Sequence, residues 1–314
     1  MMRPGDQIGD YIVERQIGRG GMSLVYRARR ALDGSLVAVK VLRPNLVGHP
    51  TAWRRFLSEV DAVRDVTHVN VVRRLGGGLL APRHPYLVLE LLDGVSIASL
   101  VGPGRTLLTA AAVQIVKQAA AGLDAVHEAG VIHRDVNPSN IVLAHERPDR
   151  ARVKIIDFGV AKLLDSIVGL SSENVDLGSP SFRAPEQERE SSRVDHRADI
   201  YSLAVTAFFL LSSGLMPWGV GPLAALLERK ALDPTPNLRA LFPALSDDQA
   251  LVLQAGMARD PMKRWASAGR FAAALAAASG VTDGDADQLA ILLALAGHLP
   301  GDMANTAPTP TPCP

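Results

Sequence analysis

Short apolar runs and apolar–polar alternation dominate the first third of the chain, a pattern typical of β-strands. Residues 11 to 42 predict strands interrupted by a glycine cluster, and the turn dipeptide Asp33-Gly34 lies between two of the apolar runs. Two further apolar runs predict strands at 71–75 and 86–91. The sequence therefore predicts a sheet over roughly the first ninety residues.

A helical period replaces this pattern at residues 53–65, where Phe56, Val60 and Val63 recur at helical spacing. Long helical patterns then dominate at 109–128, 197–211, 223–231, 247–257 and 267–278, the first with Thr109 as a predicted N-cap. Strands with one helix, followed by a helical remainder, predict an α+β protein of two lobes. Asp93-Gly94 is the expected hinge between them.

Composition narrows the class of protein. The 314 residues carry a net charge of +1, which removes the usual electrostatic argument for a nucleic-acid partner. A single cysteine, Cys313, excludes a disulfide framework and a cysteine-ligated zinc site. The longest clean apolar run near the C-terminus, at 289–296, is too short to span a bilayer. These features predict a soluble protein of a reducing compartment, the cytoplasm.

The glycine cluster and a nearby lysine indicate phosphate binding. Gly18-Arg-Gly-Gly-Met-Ser23 lies between two strands, and a glycine hairpin can place its backbone N–H groups over phosphates because no Cβ blocks the approach. A flexible turn is the simpler alternative. Lys40, one of only six lysines, lies near the end of an apolar strand, where an ammonium group needs a partner. Glu59 on the following helix is the candidate partner.

Acidic and amide side chains follow later strands. Asp135 in the segment His133-Arg-Asp-Val-Asn-Pro-Ser-Asn140 could accept a proton from a hydroxyl group. Asn140 and Asp157, which ends the apolar run 153–156, could bind Mg²⁺, a cation that takes few protein oxygens together with substrate phosphates.

Taken in order, these segments resemble the signature motifs of protein kinases of the eukaryotic-like serine/threonine type common in bacteria. They stand here as G-R-G-G-M-S-L-V, V-A-V-K, H-R-D-V-N-P-S-N, D-F-G and A-P-E, the last at 184–186. The resemblance covers roughly residues 8–279. It implies an N-lobe at 8–92 and a C-lobe at 93–279, followed by a C-terminal helix and a Pro/Thr-rich tail at 280–314.

The same resemblance implies ATP-dependent transfer of the γ-phosphate to Ser or Thr hydroxyls of protein substrates, including the chain itself. Mg²⁺, or Mn²⁺, would be the metal, with Asn140 and Asp157 as its ligands. The implied catalytic residues are Asp135, Lys40, Glu59 and Asn137. The implied nucleotide-binding residues are Gly18, Gly20, Gly21, Ser23, Val25, Ala38, Lys40, Glu90, Leu92 and Val142. Glu186, Arg264 and Asp199 resemble structural ties of the helical lobe.

Asn137 departs from the family pattern, which has a lysine two residues after the catalytic Asp. Loss of one stabilising donor typically costs about 10²–10³ in rate, so we expect a slowed but active kinase. A non-catalytic nucleotide-binding scaffold is the main alternative. A small-molecule phosphotransferase is disfavoured, because the activation segment and A-P-E would form a platform for peptides.

Two regulatory features stay open in the sequence. Arg134 would bind a phosphorylated residue of the activation segment, with Ser171 and Ser172 the best placed and Ser166 less so, or it would pair with unmodified acids there. The stretch 285–299 predicts a helix that packs on the helical lobe. The alternative for that helix is a docking or dimer role, which would make the chain a homodimer.

Overall fold

The computed structural model describes residues 2–47, 49, 52, 56, 66–80, 84–102, 105–147, 150–158, 178–189, 194–282, 289 and 292. These residues form a sheet-rich first lobe and a mainly helical second lobe. The predicted α+β class is confirmed.

The first lobe is built on one antiparallel sheet in which the strands follow the order β1-β2-β3-β4-β6-β5. Its strands are β1 (Gln7–Ile8), β2 (Tyr11–Arg19), β3 (Ser23–Arg30), β4 (Leu36–Leu42), β5 (Arg74–Leu80) and β6 (His84–Glu90). A 3₁₀ turn, Pro44–Leu46, follows β4. The central strand β4 is covered on both faces, which explains why all its residues apart from Lys40 are apolar.

Alternation along β4 determines which way Lys40 faces. Val39 and Val41 belong to the apolar cluster on one face of the sheet, whereas Ala38 and Leu42 belong to the cluster on the other. Because side chains alternate along a strand, Lys40 shares the face of Ala38 and Leu42. Ile156 of the second lobe packs against that cluster, so Lys40 faces the second lobe.

One predicted strand was misplaced. The apolar run at 71–75 is not a strand, because Val71 forms only an isolated bridge with Ile155 and the strand begins at Arg74. β5 contains three consecutive glycines, and a Cβ at Gly77 would lie 2.8 Å from the carbonyl oxygen of Tyr86. The close approach of the two backbones therefore requires glycine there. The strand predicted at 86–91 is present as β6.

The second lobe combines a three-stranded sheet with helices. Its strands are β7 (Gly94–Ser96), β8 (Ile141–Arg147) and β9 (Arg150–Ile155). Its helices are α1 (Thr109–Glu128), α2 (Gly178–Phe182), α3 (Glu186–Arg189), α4 (Arg197–Leu211), α5 (Leu223–Leu232), α6 (Leu238–Leu241), α7 (Asp247–Gly256) and α8 (Ala268–Ala278). Short 3₁₀ turns occur at Ile97–Leu100, Pro138–Asn140 and Pro261–Lys263. Among the described residues, no helix has both the length and the apolarity to cross a membrane.

Helix α4 forms the centre of the second lobe. Thirteen of its fifteen residues are buried, which is typical of a helix surrounded by protein on all sides. The hydroxyl groups of Ser202 and Thr206 bond within the helix: Ser202 donates to the Ala198 carbonyl at 3.1 Å and Thr206 to the Ser202 carbonyl at 2.8 Å. The predicted N-cap of α1 was wrong by one residue, because Leu108 is the cap and Thr109 is the first helical residue.

The chain beyond α8 packs onto the second lobe. Leu289 is completely buried in the apolar core of that lobe, and Leu292 packs against the same core. The side chain of Gln114 donates to the Thr282 carbonyl at 2.7 Å. These contacts confirm the expected packing on the helical lobe. The other residues of the predicted helix 285–299 lie outside the described residues, as does most of the predicted helix 53–65.

We expect Leu289→Ala to lower the free energy of unfolding by about 2–5 kcal/mol, since it removes a buried leucine from a packed core. Urea denaturation followed by circular dichroism would measure the change. Leu251→Ala is the matched control, because Leu251 is 64% exposed and its truncation should change stability by less than about 0.5 kcal/mol. Equal effects of the two substitutions would contradict the packing of Leu289.

Candidate active site

Residues 133–140, here called the 133–140 loop, connect α1 to β8 and are held from below by Asp199 of α4. The Asp199 carboxylate is fully buried and accepts the backbone N–H of His133 at 2.8 Å and that of Arg134 at 2.7 Å. Nε2 of His127 lies 2.8 Å from the same carboxylate. Arg134 has a positive φ of 66°, a conformation that costs a non-glycine residue energy and needs such support.

His133 connects this loop to the segment after β9. Nδ1 of His133 accepts the N–H of Asp135 at 3.3 Å, so Nε2 carries the hydrogen and donates to the Ile156 carbonyl at 3.0 Å. Burial lowers the pKa of His133, since its ring is enclosed and contacts Phe158 at 4.7 Å between ring centroids. The ring is therefore neutral and acts as a fixed link between the two segments.

Asp135 and Asn140 lie side by side at the top of the loop. The Asn140 amide nitrogen donates to the Asp135 carboxylate at 2.6 Å and to the Asp135 carbonyl at 2.9 Å. The backbone carbonyl of Asn140 accepts the N–H of Ile156 at 2.9 Å. The three contacts place a carboxylate and an amide next to the segment that carries Asp157.

Asn137 bonds within its own loop. Its Oδ1 accepts the N–H of Ser139 at 2.9 Å, which caps the 3₁₀ turn Pro138–Asn140, and its Nδ2 donates to the Asp135 carbonyl at 2.9 Å. Only 6% of Asn137 is exposed. The side chain therefore maintains the shape of the loop that presents Asp135.

Lys40 of the first lobe meets Asp157 of the second lobe. Nζ of Lys40 lies 3.0 Å from Oδ1 of Asp157, with Lys40 buried and the Asp157 side chain 40% exposed. Asp157 has φ of 54°, a second strained position next to the site. Glu59, the expected partner of Lys40, lies outside the described residues.

Most of the expected nucleotide-binding residues lie on strands or strand ends of the two sheets. Val25 pairs with Lys40 across β3 and β4, and Ala38 pairs with Leu89 across β4 and β6. Val25, Ala38 and Leu92 belong to one apolar cluster.

Gly18 pairs with Val25 within the β2–β3 hairpin, whose tip holds Gly20 and Gly21. The N–H of Gly20 donates to the Ser23 carbonyl at 2.9 Å. Val142 lies on β8 and pairs with Ser96.

Glu90 at the end of β6 forms an ion pair that the sequence did not suggest. Nζ of Lys154 on β9 lies 2.6 Å from Glu90 Oε1, and the same oxygen accepts the N–H of Arg73 at 2.7 Å. Lys154 also donates to the Val71 carbonyl at 3.3 Å. Lys154 of the second lobe therefore holds Glu90, the last residue of β6, where the chain passes from the first lobe to the second.

The segment 178–184, which contains α2 and ends at the first residue of the A-P-E motif, lies beside the 133–140 loop. The side chain of Gln187 accepts the N–H of Ala184 at 3.0 Å and donates to the Arg134 carbonyl at 2.9 Å. Arg264 grips Glu186 with two hydrogen bonds of 2.5 and 2.8 Å, which confirms the expected tie. Ser166, Ser171 and Ser172 lie outside the described residues.

Sequence reasoning missed Asn70, Lys154, Gln187 and Lys230. Asn70 donates to the Val153 carbonyl at 2.8 Å and to the Gln118 side chain at 3.1 Å. These two bonds join the chain just before β5 to β9 and to α1. Lys230 donates to backbone carbonyls of the 178–184 segment. The scarcity of lysine was the only sequence signal for Lys154 and Lys230.

The chain is similar in sequence to known proteins of one family. The sequence matches the family described as "Protein kinase domain" over residues 11–269. It is 37% identical over 271 residues to "Serine/threonine-protein kinase Pkn1" of Myxococcus xanthus, covering 86% of this chain and 38% of that protein. It is 35% identical over 284 residues to "Serine/threonine-protein kinase PknJ" of Mycobacterium tuberculosis, covering 89% and 47%. The chain thus spans less than half the length of these relatives.

Solved structures give the same result. The kinase domain of Mycobacterium tuberculosis PknI aligns with a TM-score of 0.70 and 28% identity, over 88% of this chain and all of that one. The curled antiparallel sheet and the helical second lobe are therefore those of a protein-kinase fold.

We expect Asp199→Asn to lower the free energy of unfolding by about 2–5 kcal/mol, because the amide group cannot accept all the donors that the carboxylate accepts. Chemical denaturation measures this. Asp195→Asn is the control, since the Asp195 side chain is 45% exposed and pairs only with its helix neighbour Arg197 among the ion pairs described. A loss no larger than that of Asp195→Asn would show that the Asp199 carboxylate does not support the loop.

Proposed function

The chain belongs to the protein kinase family, and we propose that it transfers the γ-phosphate of ATP to Ser or Thr hydroxyls of proteins, itself included. The contact between Lys40 and Asp157 carries this proposal, since it joins the two lobes at 3.0 Å. The expected phosphate-binding cation thus lies beside the expected metal-binding carboxylate. Such an arrangement suits a reaction in which positioning and charge do most of the catalysis.

In this proposal ATP lies between the lobes. Val25 and Ala38 would contact the adenine ring, and the backbone of Glu90 and Leu92 would bond to its edge. The hairpin of Gly18, Gly20, Gly21 and Ser23 would cover the phosphates. Lys40 would hold the α- and β-phosphates, with Glu59 as its second partner.

Asp135 would orient and deprotonate the acceptor hydroxyl. Its carboxylate is held in place by Asn140 at 2.6 Å, and its backbone N–H is held by His133. A base within hydrogen-bond reach of the acceptor typically contributes about 10²–10⁴ in rate. The fixed position of Asp135 supports that role.

A divalent cation, Mg²⁺ or Mn²⁺, would be held by Asn140 and Asp157. The amide nitrogen of Asn140 is committed to Asp135, which turns its oxygen the other way, and Asp157 offers a partly exposed carboxylate. Two protein oxygens fit a cation that is otherwise bound by phosphates, and no cluster of three His, Cys, Asp or Glu occurs among the described residues. The metal would neutralise charge on the transferring phosphate.

The location we propose is the cytoplasm, where ATP is the common phosphate donor and a chain with one cysteine needs no disulfide. The scaffold alternative is favoured only by Asn137, because Lys40, Asp135, Asn140 and Asp157 are all retained. A scaffold would bind ATP and transfer nothing.

We expect Asp135→Asn and Asp157→Asn each to reduce autophosphorylation by about 10²-fold or more, since they remove the base and a metal ligand. Incorporation of labelled phosphate from ATP and Mg²⁺ measures this. Asp248→Asn, at an exposed position on α7, should leave the rate unchanged. Binding of ATP without any transfer by the unmodified chain would instead establish the scaffold.

We expect Asn137→Lys to raise the transfer rate, by as much as about 10²-fold, since it restores a cation near the transferring phosphate. The same substitution removes an N-cap and should lower the free energy of unfolding by about 1 kcal/mol. Asn137→Ala is the control, with the stability loss and no gain in rate. A slower Asn137→Lys enzyme, or transfer that occurs only in that variant, would contradict a slowed but active kinase.

A further inference from the structure

Lys230 on α5 is a buried lysine to which the proposed reaction assigns no role. Its Nζ donates to the carbonyls of Pro180 at 2.9 Å and Ser181 at 3.2 Å, and also to the carbonyl of Arg183. Only 3% of the residue is exposed. An ammonium group has three hydrogens, so these three carbonyls use its full donor capacity.

The three carbonyls belong to the segment 178–184, which adjoins the 133–140 loop. Residues 178–184 are joined on their far side to the 133–140 loop, because Gln187 bridges the Ala184 N–H and the Arg134 carbonyl. Lys230 therefore fixes one side of the segment, while Gln187 fixes the other. Asp135 is the next residue after Arg134, so the position of the segment is set relative to the proposed base.

Aromatic rings complete the site of the ammonium group. Nζ of Lys230 lies 5.5 Å from the ring centroid of Tyr201 and 6.0 Å from that of Trp218, and the two rings stack on each other. Cation–π attraction adds to the carbonyl contacts. The guanidinium of Arg264 lies 4.9 Å from the Tyr201 ring and is itself paired with Glu186. A neutral side chain of the same length would lose both kinds of contact.

We propose that Lys230 is a positioning residue for the acceptor: its ammonium group holds the 178–184 backbone in the shape that receives the acceptor peptide. This inference rests on the proposed function, since it names the surface on which the protein substrate lies. Lys230 does not touch ATP or Asp135 in the proposal. Its loss should therefore weaken acceptor binding and leave ATP binding unchanged.

The charge state of Lys230 provides a second signature. Burial lowers its pKa to about 7, Glu188 and Glu186 act in the opposite direction, and Arg183 lowers it further. Tyr201 and Arg264 are the other ionisable groups next to it. A neutral amine has two hydrogens and directs a lone pair at one of the carbonyls. Acceptor binding should therefore weaken as the pH rises through about 7.

The pH dependence of stability has the opposite sign to that of acceptor binding. The pKa of Lys230 is lower in the folded chain than in the unfolded chain, so the unfolded chain binds more protons between about pH 7 and 10.5. The contribution of this group to stability rises with pH in that range. A weaker hold on the acceptor together with rising stability separates the effect from general unfolding.

The test uses the full chain with casein as the acceptor protein, and compares the unmodified chain with Lys230→Met between pH 6 and 8.5. We expect the KM for casein at pH 6 to rise about tenfold in Lys230→Met, the size expected for the loss of hydrogen bonds to a charged group. The KM for ATP should stay within twofold. In the unmodified chain the KM for casein should rise with pH, and in Lys230→Met it should be flat.

Two measurements keep the proposal falsifiable if Lys230→Met folds poorly. Glu188→Gln, at an exposed position, should move the rise in KM to lower pH, whereas Glu228→Gln, exposed on α5, should not. Hydrogen exchange of the backbone amides at 181–184 should quicken as the pH passes 7, beyond the intrinsic rate. Exchange that follows the intrinsic rate alone would overturn the proposal without any assay of activity.

The outcomes separate the two proposals. Phosphate transfer by the unmodified chain with an unchanged KM for casein in Lys230→Met would overturn the role of Lys230 and leave the kinase intact. No transfer to casein or to itself by the unmodified chain would overturn the proposed function and the acceptor role with it. Equal rises in the KM for ATP and for casein would indicate a structural role only.

Discussion

The buried carboxylate of Asp199 accepts the backbone N–H groups of His133 and Arg134, and the arrangement of the whole site depends on these two bonds. A carboxylate without solvent is unfavourable unless strong donors surround it, and here His127 supplies a third. Because α4 lies at the centre of the second lobe, the loop is anchored to a helix that protein surrounds on nearly all sides. The strained backbone of Arg134 is tolerated for the same reason.

From that anchor, contacts spread through backbone groups. His133 fixes Ile156, the residue before Asp157, and Gln187 fixes the 178–184 segment to the Arg134 carbonyl. The two elements that the proposed substrates would meet are therefore positioned by one loop of eight residues. The contact of Lys40 with Asp157 is separate from these bonds, since none of them involves the first lobe.

The sequence predicted the fold class and the long helices, and its motifs indicated the kinase family, since periodicity and residue type carry that information. It failed where contacts involve the backbone. Lys230 binds carbonyl groups, which every residue has, so no second residue type signals the contact. The first residues of β5 were misplaced for two reasons. Val71 is apolar because it packs in the core, and it forms only an isolated bridge, whereas Gly77 lies in the strand because the two backbones approach closely there. The ion pair between the Glu90 side chain and Lys154 was also missed.

Lysine is scarce here, with six among 33 basic residues, and its placement is informative. Lys40, Lys154 and Lys230 each hold a backbone or carboxylate group between elements, a task for a compact ammonium that donates in three directions. Asn137 occupies the position where the family has a lysine that would face the transferring phosphate, and it bonds its own loop instead. Cationic stabilisation of the transferring phosphate would then come from the metal, with Lys40 holding the neighbouring α- and β-phosphates. The contact of Lys40 with Asp157 forms only when the two lobes meet. It would therefore control the rate more strongly than in a kinase that has the lysine.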